Sequence, residues 1–378
     1  MVNNMVRRSF FSSRILLFQL QHLRVLPPKT CIKSIPVASH PISRQFCDGT
    51  EVTGSYKEPV TQASHDEDVT DEKLDEILFT MEKSPRSGRK ICNVYVDNLC
   101  NAGNLSAALR LVQALHDRNI ILSLNAYDRL LAVAAAKCEI DVLCQVFKDM
   151  IFYLECVPSA SFLTLARAFL KISDHALLLR LIKDVSKLEV PRSTVVLNRI
   201  IFAFSECRQF DKAITIFEQM KDLKCKPDLV TYNTVLDLLG RAGRIDEMLC
   251  QFASIKESGI KPDFISYNTL LNQLRKVGRL DLSLVYFKEM NESGIEADLL
   301  TYTALIRSFC QSGNIEEALR LFNDMKMRQV RPSIYIYRSL VDGLNKMGNV
   351  ELAAAFSQEM NASLPDLAGP KDFKRKGR

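Results

Sequence analysis

The feature that most constrains this chain is a segment that occurs twice, 35 residues apart. The string "KPDLVTYNTVLDLLGRAGRIDE" begins at Lys226, and "KPDFISYNTLLNQLRKVGRLDL" begins at Lys261. A fixed period of this size is typical of repeat architectures. Extending it in both directions, without insertion or deletion, predicts eight repeats at 89–123, 124–158, 159–193, 194–228, 229–263, 264–298, 299–333 and 334–368.

Four columns of the repeat keep one type of residue and fix its register. The fifteenth position is Gly103, Gly243, Gly278, Gly313 and Gly348; the twentieth is Ala108, Ala213, Ala318 and Ala353; the twenty-seventh is Met150, Met220, Met290, Met325 and Met360; the fourth is Tyr127, Phe162, Tyr232, Tyr267, Tyr302 and Tyr337. Glycine at the fifteenth position is expected to end a helix, because it adopts a positive φ at little cost. Repeats two and three are the most degenerate.

Each repeat reads as two helices joined by a turn. In the fifth repeat, Val235 and Leu239 recur at helical spacing, Met248 and Phe252 form a second apolar face, and Pro262 closes the unit. One such hairpin cannot bury its own apolar face, whereas stacked hairpins can. The predicted fold is all-α, a right-handed superhelical α-solenoid of eight 35-residue helix–turn–helix repeats with a concave inner surface. No apolar run is long enough to predict a membrane span.

The first 47 residues have a different composition. From Met1 to Cys47 there is no Asp or Glu, while seven residues are Arg or Lys. A basic, amphipathic and serine-containing leader of this kind is typical of an organelle transit peptide. "SRQFC" resembles a mitochondrial processing site, with Arg44 two residues before a cut after Phe46. We expect a mitochondrial protein, with the chloroplast as the alternative; a disordered basic tail is the plainer interpretation.

Without this leader the charge argument changes. The whole chain carries a net charge of +6, so removing seven positive charges leaves about −1. Any basic surface must then be a local stripe rather than a global excess. Candidates near the turns between helices are Arg241, Arg244, Lys276 and Arg279, which could equally be solvated turn residues.

The segments on either side of the repeats are polar. Residues 48–88 are expected to be a linker with an acidic helix from about Thr70, which would cap the first repeat. Residues 369–378, "GPKDFKRKGR", are expected to be a disordered basic tail.

No constellation of residues indicates catalysis. The eleven cysteines include no C-x-x-C, and we expect most to be reduced core residues, among them Cys100 and Cys310 at the twelfth position. "HDE" at His65 matches half of a zinc deaminase motif, but the P-C-x-x-C that would complete it is missing. The sequence predicts no catalytic residue, no metal and no cofactor, and therefore no enzyme.

The strings "DLVTYNTVLDLLGRAGRIDE", "DFISYNTLLNQLRKVGRLDL" and "DLLTYTALIRSFCQSGNIEEALRLFNDM" resemble pentatricopeptide repeats of the P-class found in plant organelles. The likeness covers 89–368, strongest in repeats four to seven and weakest in two and three. It implies a protein that binds single-stranded RNA, one base per repeat. A related repeat of 34 residues binds proteins, which keeps a protein-binding scaffold in an organellar complex such as the ribosome as the alternative.

The resemblance also implies site residues. The fifth and last residues of a repeat would read one base, and the second would sandwich it. The base-reading pairs are Asn93 with Ser123, Asn198 with Asp228, Asn233 with Asp263, Asn268 with Asp298, and Thr303 with Ser333; the sandwiching residues are Val195, Val230, Ile265 and Leu300. In the family, Asn with Asp favours uridine, Asn with Ser leans towards cytidine, and Thr at the fifth position leans towards a purine. The implied core target is three uridines followed by a purine.

Three repeats give no legible pair. Repeat two has Asp128 with Pro158, repeat three has Leu163 with Ser193, and repeat eight has Arg338 at the fifth position. The legible residues also have a structural interpretation, in which the Asn side chains are surface polar groups and the Asp side chains are turn or N-cap residues. As an RNA binder, the protein is expected to be monomeric and to act by occupancy or by recruiting processing, splicing or translation factors.

Overall fold

The computed structural model describes residue 79 and residues 85–171, 175–189, 192–223, 225–369 and 372–373. These residues form sixteen α-helices and two short 3-10 helices, with one isolated β-bridge. The α-helices are α1 Pro85–Ala102, α2 Leu105–Asp117, α3 Leu124–Lys137, α4 Ile140–Tyr153, α5 Ser159–Ala168, α6 His175–Val185, α7 Arg192–Glu206, α8 Phe210–Asp222, α9 Leu229–Ala242, α10 Ile245–Glu257, α11 Phe264–Lys276, α12 Leu280–Glu292, α13 Leu299–Ser312, α14 Ile315–Met327, α15 Ile334–Lys346 and α16 Val350–Ala362. The predicted leader and the core of the predicted acidic helix lie outside the described residues.

The chain divides into two compact units, Met1–Ala126 and Tyr127–Arg378. In the first, α1 packs against α2. In the second, each first helix from α5 to α13 contacts the first helix of the next repeat, and each second helix from α4 to α14 contacts the first helix that follows it. These contacts confirm the helical-repeat solenoid fold in this unit.

First helices begin at the period expected from the sequence in six repeats, at Leu124, Ser159, Leu229, Phe264, Leu299 and Ile334. Two begin earlier than the repeat frame: α1 at Pro85 instead of Arg89, and α7 at Arg192 instead of Thr194.

A left-handed residue ends the first helix of each repeat where the structure describes that position. The five predicted glycines have φ between 75° and 81°. Cys138 and Arg208, which occupy the same position in repeats two and four, both have φ of 59°. The turn geometry therefore persists where glycine is absent. A residue with a side chain adopts this left-handed backbone conformation only at a cost in conformational energy.

The aromatic fourth position is explained by contact between neighbouring repeats. Five of the six rings, all except Tyr127, meet a phenylalanine from the second helix of the preceding repeat, with centroids 5.2–5.6 Å apart and planes inclined by 69–86°. Edge-to-face pairs of this kind add about 0.5–1.5 kcal/mol beyond the burial of their area. The pairs are Phe147 with Phe162, Phe217 with Tyr232, Phe252 with Tyr267, Phe287 with Tyr302, and Phe322 with Tyr337.

Two expectations about the rest of the chain are wrong. Of the nine cysteines in the described part of the chain, all free, only four are buried, so most are not core residues. Cys138 is exposed because it takes the place of the helix-ending glycine. The predicted disordered tail is also wrong for Gly369, Asp372 and Phe373, which make the contacts described below. Across the described residues, no helix is long and apolar enough to cross a membrane.

Candidate nucleic-acid interface

The predicted Asn and Asp side chains meet across the boundary between repeats. Asn198 Nδ2 donates to Asp228 Oδ1 at 3.1 Å, and Asn233 Nδ2 donates to Asp263 Oδ1 at 3.2 Å. Each Asp is also the N-cap of the next first helix and accepts from the backbone N–H three residues later at 2.8 Å. The structure therefore shows the N-cap role of the Asp residues and places both members of the pair at one spot.

A third side chain, which the sequence analysis did not identify, completes each pair. It is the hydroxyl at the third position of the following repeat: Thr231 Oγ1 lies 2.6 Å from Asn198 Oδ1, and Ser266 Oγ lies 2.7 Å from Asn233 Oδ1. Each hydroxyl also lies within 2.9 Å of the Asp Oδ1, so its single proton is shared between two acceptors. The amide of each Asn is thus oriented by two partners.

Repeat six departs slightly from this arrangement. Thr301 Oγ1 lies 2.7 Å from Asn268 Oδ1, as in the two preceding repeats. Asn268 Nδ2, however, is buried without a hydrogen-bond partner within the described structure. Leaving a buried donor unpaired costs about 1–3 kcal/mol.

The side chains differ in exposure. Asn198 and Asn233 are 3% exposed and Asn268 is 7% exposed, so the interpretation of these residues as surface polar groups is wrong. Asp228 is exposed, while Asp263 and Asp298 are half-buried. All four predicted sandwiching residues, Val195, Val230, Ile265 and Leu300, are half-buried. The carboxylates and these apolar side chains thus reach solvent above a buried layer of amides.

The other predicted pairs are built differently. In repeat one, Asn93 Oδ1 accepts from the backbone N–H of Ser123 at 3.3 Å. In repeat seven, the structure shows no hydrogen bond between Thr303 and Ser333: Thr303 Oγ1 donates to Leu299 O at 2.6 Å, and Ser333 is 0% exposed.

Repeat two keeps the contact between a fifth and a third position, with changed chemistry. Ser161 Oγ donates to Asp128 Oδ1 at 2.7 Å, which again joins a fifth position to the third position of the next repeat. One repeat later, the corresponding fifth and third positions are Leu163 and Val196, which are both apolar. At both junctions the two positions therefore carry residues of the same type. Arg338, the fifth residue of repeat eight, is exposed.

Most of the candidate basic residues are paired with acids. Arg241 Nη1 lies 2.6 Å from Glu206 Oε1, and Arg244 contacts both Glu247 and Asp211. Arg279 lies 3.5 Å from Asp281. Lys276 Nζ donates to Gln273 Oε1 at 3.1 Å. The ion pairs make three of these four residues weak sources of a positive stripe.

A buried polar pair joins α9 to α11 on the same first helices. Gln273 Nε2 donates to Asp237 Oδ1 at 2.8 Å, and these residues are 2% and 7% exposed. Burial raises the pKa of Asp237, against the lowering effect of Arg241 and Lys276. In the described part of the chain, no group of three or more His, Cys, Asp or Glu residues is placed to hold a metal ion.

The fold and this recurring site define the class: a protein built of stacked 35-residue helical hairpins that presents the same polar pair at successive junctions. Matches to the PPR repeat family cover residues 192–239, 227–276, 262–311 and 297–346. Residues 192–346 are therefore pentatricopeptide repeats. The matched residues include Asn198, Asn233 and Asn268 with their Asp partners.

Known relatives agree with this assignment. A pentatricopeptide repeat-containing protein of Arabidopsis thaliana is 44% identical over 151 residues, which are 38% of this chain and 41% of that protein. The crystal structure of PPR10 in complex with an 18-nt psaJ RNA element superimposes with a TM-score of 0.57 at 22% identity, covering 77% of this chain and 41% of that one. The chain thus spans about two fifths of the length of these relatives.

Proposed function

We propose that this protein binds single-stranded RNA in a sequence-selective way and acts in organellar RNA metabolism. The observation that carries the proposal is the Asn–Asp pair, held in the same geometry at successive repeat junctions. One base per repeat along such a series is the recognition mode of pentatricopeptide repeats. The structural likeness to PPR10, which was crystallised with an RNA element, supports the fold that this mode requires.

The chemistry of the pair favours uracil. The Watson–Crick edge of uracil presents one N–H donor between two carbonyl acceptors. The carboxylate of Asp263 accepts hydrogen bonds, and the Asn233 amide has a second N–H beyond the one given to Asp263. Cytosine presents a lone pair at the ring position where uracil has its N–H, so a carboxylate repels it. Repeats four to six therefore favour three uridines.

The target and mode of action extend this proposal. The core target is three uridines, followed by a purine if repeat seven reads its base. The protein acts by occupying a transcript or by recruiting processing, splicing or translation factors, in the mitochondrion or, alternatively, the chloroplast. The composition of residues 1–47 supports an organellar address.

A protein-binding scaffold is the second candidate. It is favoured by one observation: the N-cap role of the Asp residues and the burial of the Asn residues give these side chains a structural purpose without RNA. The two candidates differ in whether the junctions discriminate between bases.

A titration separates them. The full-length protein would be titrated at one stated salt concentration against short single-stranded RNAs that carry UUU or CCC in a constant background. RNA reading predicts tighter binding to UUU, and a loss of that preference when Asn198, Asn233 and Asn268 are all changed to Ser. Equal binding to both probes would rule out base reading, and no measurable binding to either would place the protein in the scaffold class.

A further inference from the structure

A short segment after the last α-helix returns to the junction between repeats seven and eight. We name it the return segment: Leu364–Gly369 together with Asp372 and Phe373. Ala368 pairs with Ser333 in a parallel β-bridge, and its backbone N–H donates to Pro332 O at 2.9 Å. Ala368 itself is 6% exposed. The backbone of the return segment is therefore fixed against the last residue of repeat seven.

Two side chains extend this contact. Asp372 Oδ1 lies 2.9 Å from Arg331 Nη2, and its other carboxylate oxygen accepts from the backbone N–H of Gly369 at 2.8 Å. The ring of Phe373 meets the ring of Tyr335 edge-to-face, with centroids 6.0 Å apart. An ion pair, a turn and an aromatic contact thus follow the β-bridge.

These contacts fall on positions of the repeat that carry the proposed readout. Ser333 is the last residue of repeat seven, equivalent to Asp228, and Tyr335 is the second residue of repeat eight, equivalent to Leu300. Asp228 is exposed, whereas Ser333 is 0% exposed and its Oγ has no hydrogen-bond partner in the described structure. Ser333 is therefore closed to solvent at the point where Ala368 pairs with it.

Burial alone does not distinguish Ser333 from the serine that ends another repeat. Ser193, the last residue of repeat three, is also 0% exposed. Repeat seven has in addition the β-bridge to Ala368 and the contacts of Asp372 and Phe373. These place another part of the chain over the junction.

We propose that the return segment closes the base-reading surface at repeat seven. The last base to be recognised is then the one read by Asn268 and Asp298. The purine preference of Thr303 and Ser333 has no effect while the return segment is bound. The inference about base recognition rests on the proposed RNA binding. The covering of Ser333 does not, and it can be measured without RNA.

The first arm of the test measures access to position 333. Ser333→Cys would be alkylated with iodoacetamide in the full chain, in a chain ending at Phe373 and in a chain ending at Asp366, and modification followed by peptide mass spectrometry. We expect alkylation about tenfold slower or more in the first two chains than in the third, because local opening must precede reaction at a covered site. Equal rates in all three would overturn the proposal.

Native Cys310, which is 6% exposed, reports whether truncation loosens repeat seven. If its alkylation also accelerates, the full-length Ser333→Cys chain carrying both Asp372→Ala and Phe373→Ala decides the question. This variant retains Ala368 and every helix. Faster alkylation of the thiol introduced at position 333, with an unchanged rate at Cys310, supports the proposal, and an unchanged rate at position 333 contradicts it.

The second arm measures the fourth base. The full chain and the chain ending at Asp366 would be titrated with UUUA, UUUG and UUUC probes. We expect the full chain to bind all three about equally, and the shortened chain to favour the purines by about fivefold or more, the lower end of discrimination by a direct base contact. If neither chain prefers UUU to CCC, the proposed function fails, and the alkylation rates still decide the covering of Ser333. If both prefer UUU but the shortened chain is indifferent to the fourth base, the readout part of this inference is wrong.

Discussion

Asn233 and Asp263 lie thirty residues apart in sequence, yet the amide of one donates to the carboxylate of the other at 3.2 Å. The bond crosses from one hairpin to the next, because Asp263 is the N-cap of α11. Stacking of the hairpins and formation of the candidate site are therefore one event. A substitution that disturbs the junction should affect both stability and base preference.

The third-position hydroxyl tests this coupling without removing a predicted base contact. Thr231→Val deletes the hydroxyl that lies 2.6 Å from Asn198 Oδ1 and leaves the shape of the side chain unchanged. We expect a loss of about 1–2 kcal/mol in the free energy of unfolding and weaker discrimination of U from C at the base of repeat four. Chemical denaturation and RNA titration measure the two effects.

Thr234→Val is the matched control for this change. Thr234 is similarly buried, but its hydroxyl donates to Val230 O within the same helix. It should leave the base preference intact. A Thr231 variant that loses stability yet discriminates bases as well as the control would separate the cap from the readout.

Position 240 is expected to require glycine because a neighbouring side chain leaves no room for a Cβ, and not because of its backbone conformation. A Cβ at this position would lie 2.2 Å from Gln273 Cγ and 2.7 Å from Gln273 Cβ. Gly240→Ala should therefore destabilise the protein by about 1–3 kcal/mol. In a Gln273→Gly background, which removes both of these atoms, the same change should instead stabilise, by up to about 1 kcal/mol, because alanine is the better helix former. A double-mutant cycle on thermal unfolding shows whether the sign reverses.

The phenol hydroxyls at the fourth position should contribute different amounts to the free energy of unfolding, according to their hydrogen-bond partners. Tyr302 Oη donates to Asp324 Oδ2 at 2.6 Å, whereas Tyr232 Oη lies 3.3 Å from Ser258 Oγ. Both rings keep their phenylalanine contacts when the hydroxyl is removed. Tyr302→Phe should cost about 1–2 kcal/mol, as expected for a hydrogen bond to a charged group, and Tyr232→Phe about 0.5 kcal/mol. Equal losses in urea unfolding would contradict this ranking.

Asp149 is expected to make the free energy of unfolding fall as the pH rises. Burial raises its pKa to about 6, although Gln145 donates to it at 2.9 Å and Lys148 is near. The folded-state pKa exceeds the unfolded value of about 3.9, so the folded protein binds the proton more tightly. The stabilisation from this site is present below pH 4 and is lost as the pH rises through 6.

The Asp149→Asn variant should therefore become more stable relative to the wild-type protein as the pH rises. We expect the difference in free energy of unfolding to grow by about 1–3 kcal/mol between pH 4 and pH 7.5. Because other titrating groups are common to both proteins, the difference isolates this carboxyl. A difference that stays flat over this range would show that Asp149 is not held in its protonated form by burial.

Much of the fold follows from the sequence because the same residue types recur at the same positions of several repeats. The glycine column marks helix ends, and the period gives the first residues of six first helices. The sequence could not show that Cys138 would adopt the same left-handed backbone, since residues with a side chain rarely do so. Nor could it show that α7 begins before its repeat.

The candidate site was predictable in part. The Asn and Asp positions came from the family resemblance, and the structure brings two of the three pairs within hydrogen-bonding distance. The hydroxyl of Thr231 was missed because Thr and Ser are common near helix starts and carry no signal alone. The recurrence of a hydroxyl at the third position, in Thr231, Ser266 and Thr301, was the sequence signal that could have found it. The return segment could not be foreseen, because its contacts join residues without any repeating pattern.

The most direct test of base reading is a change of base preference at one junction. Asp263→Ser keeps an N-cap, because serine caps helices about as well as aspartate, and it creates an Asn–Ser pair in repeat five. A hydroxyl can donate to the cytosine ring nitrogen that a carboxylate repels. Wild-type and variant proteins of matched thermal stability would be titrated against UUU and UCU probes at the same salt concentration. The account predicts that the wild type prefers UUU and the variant UCU; an identical preference in the two proteins would contradict it.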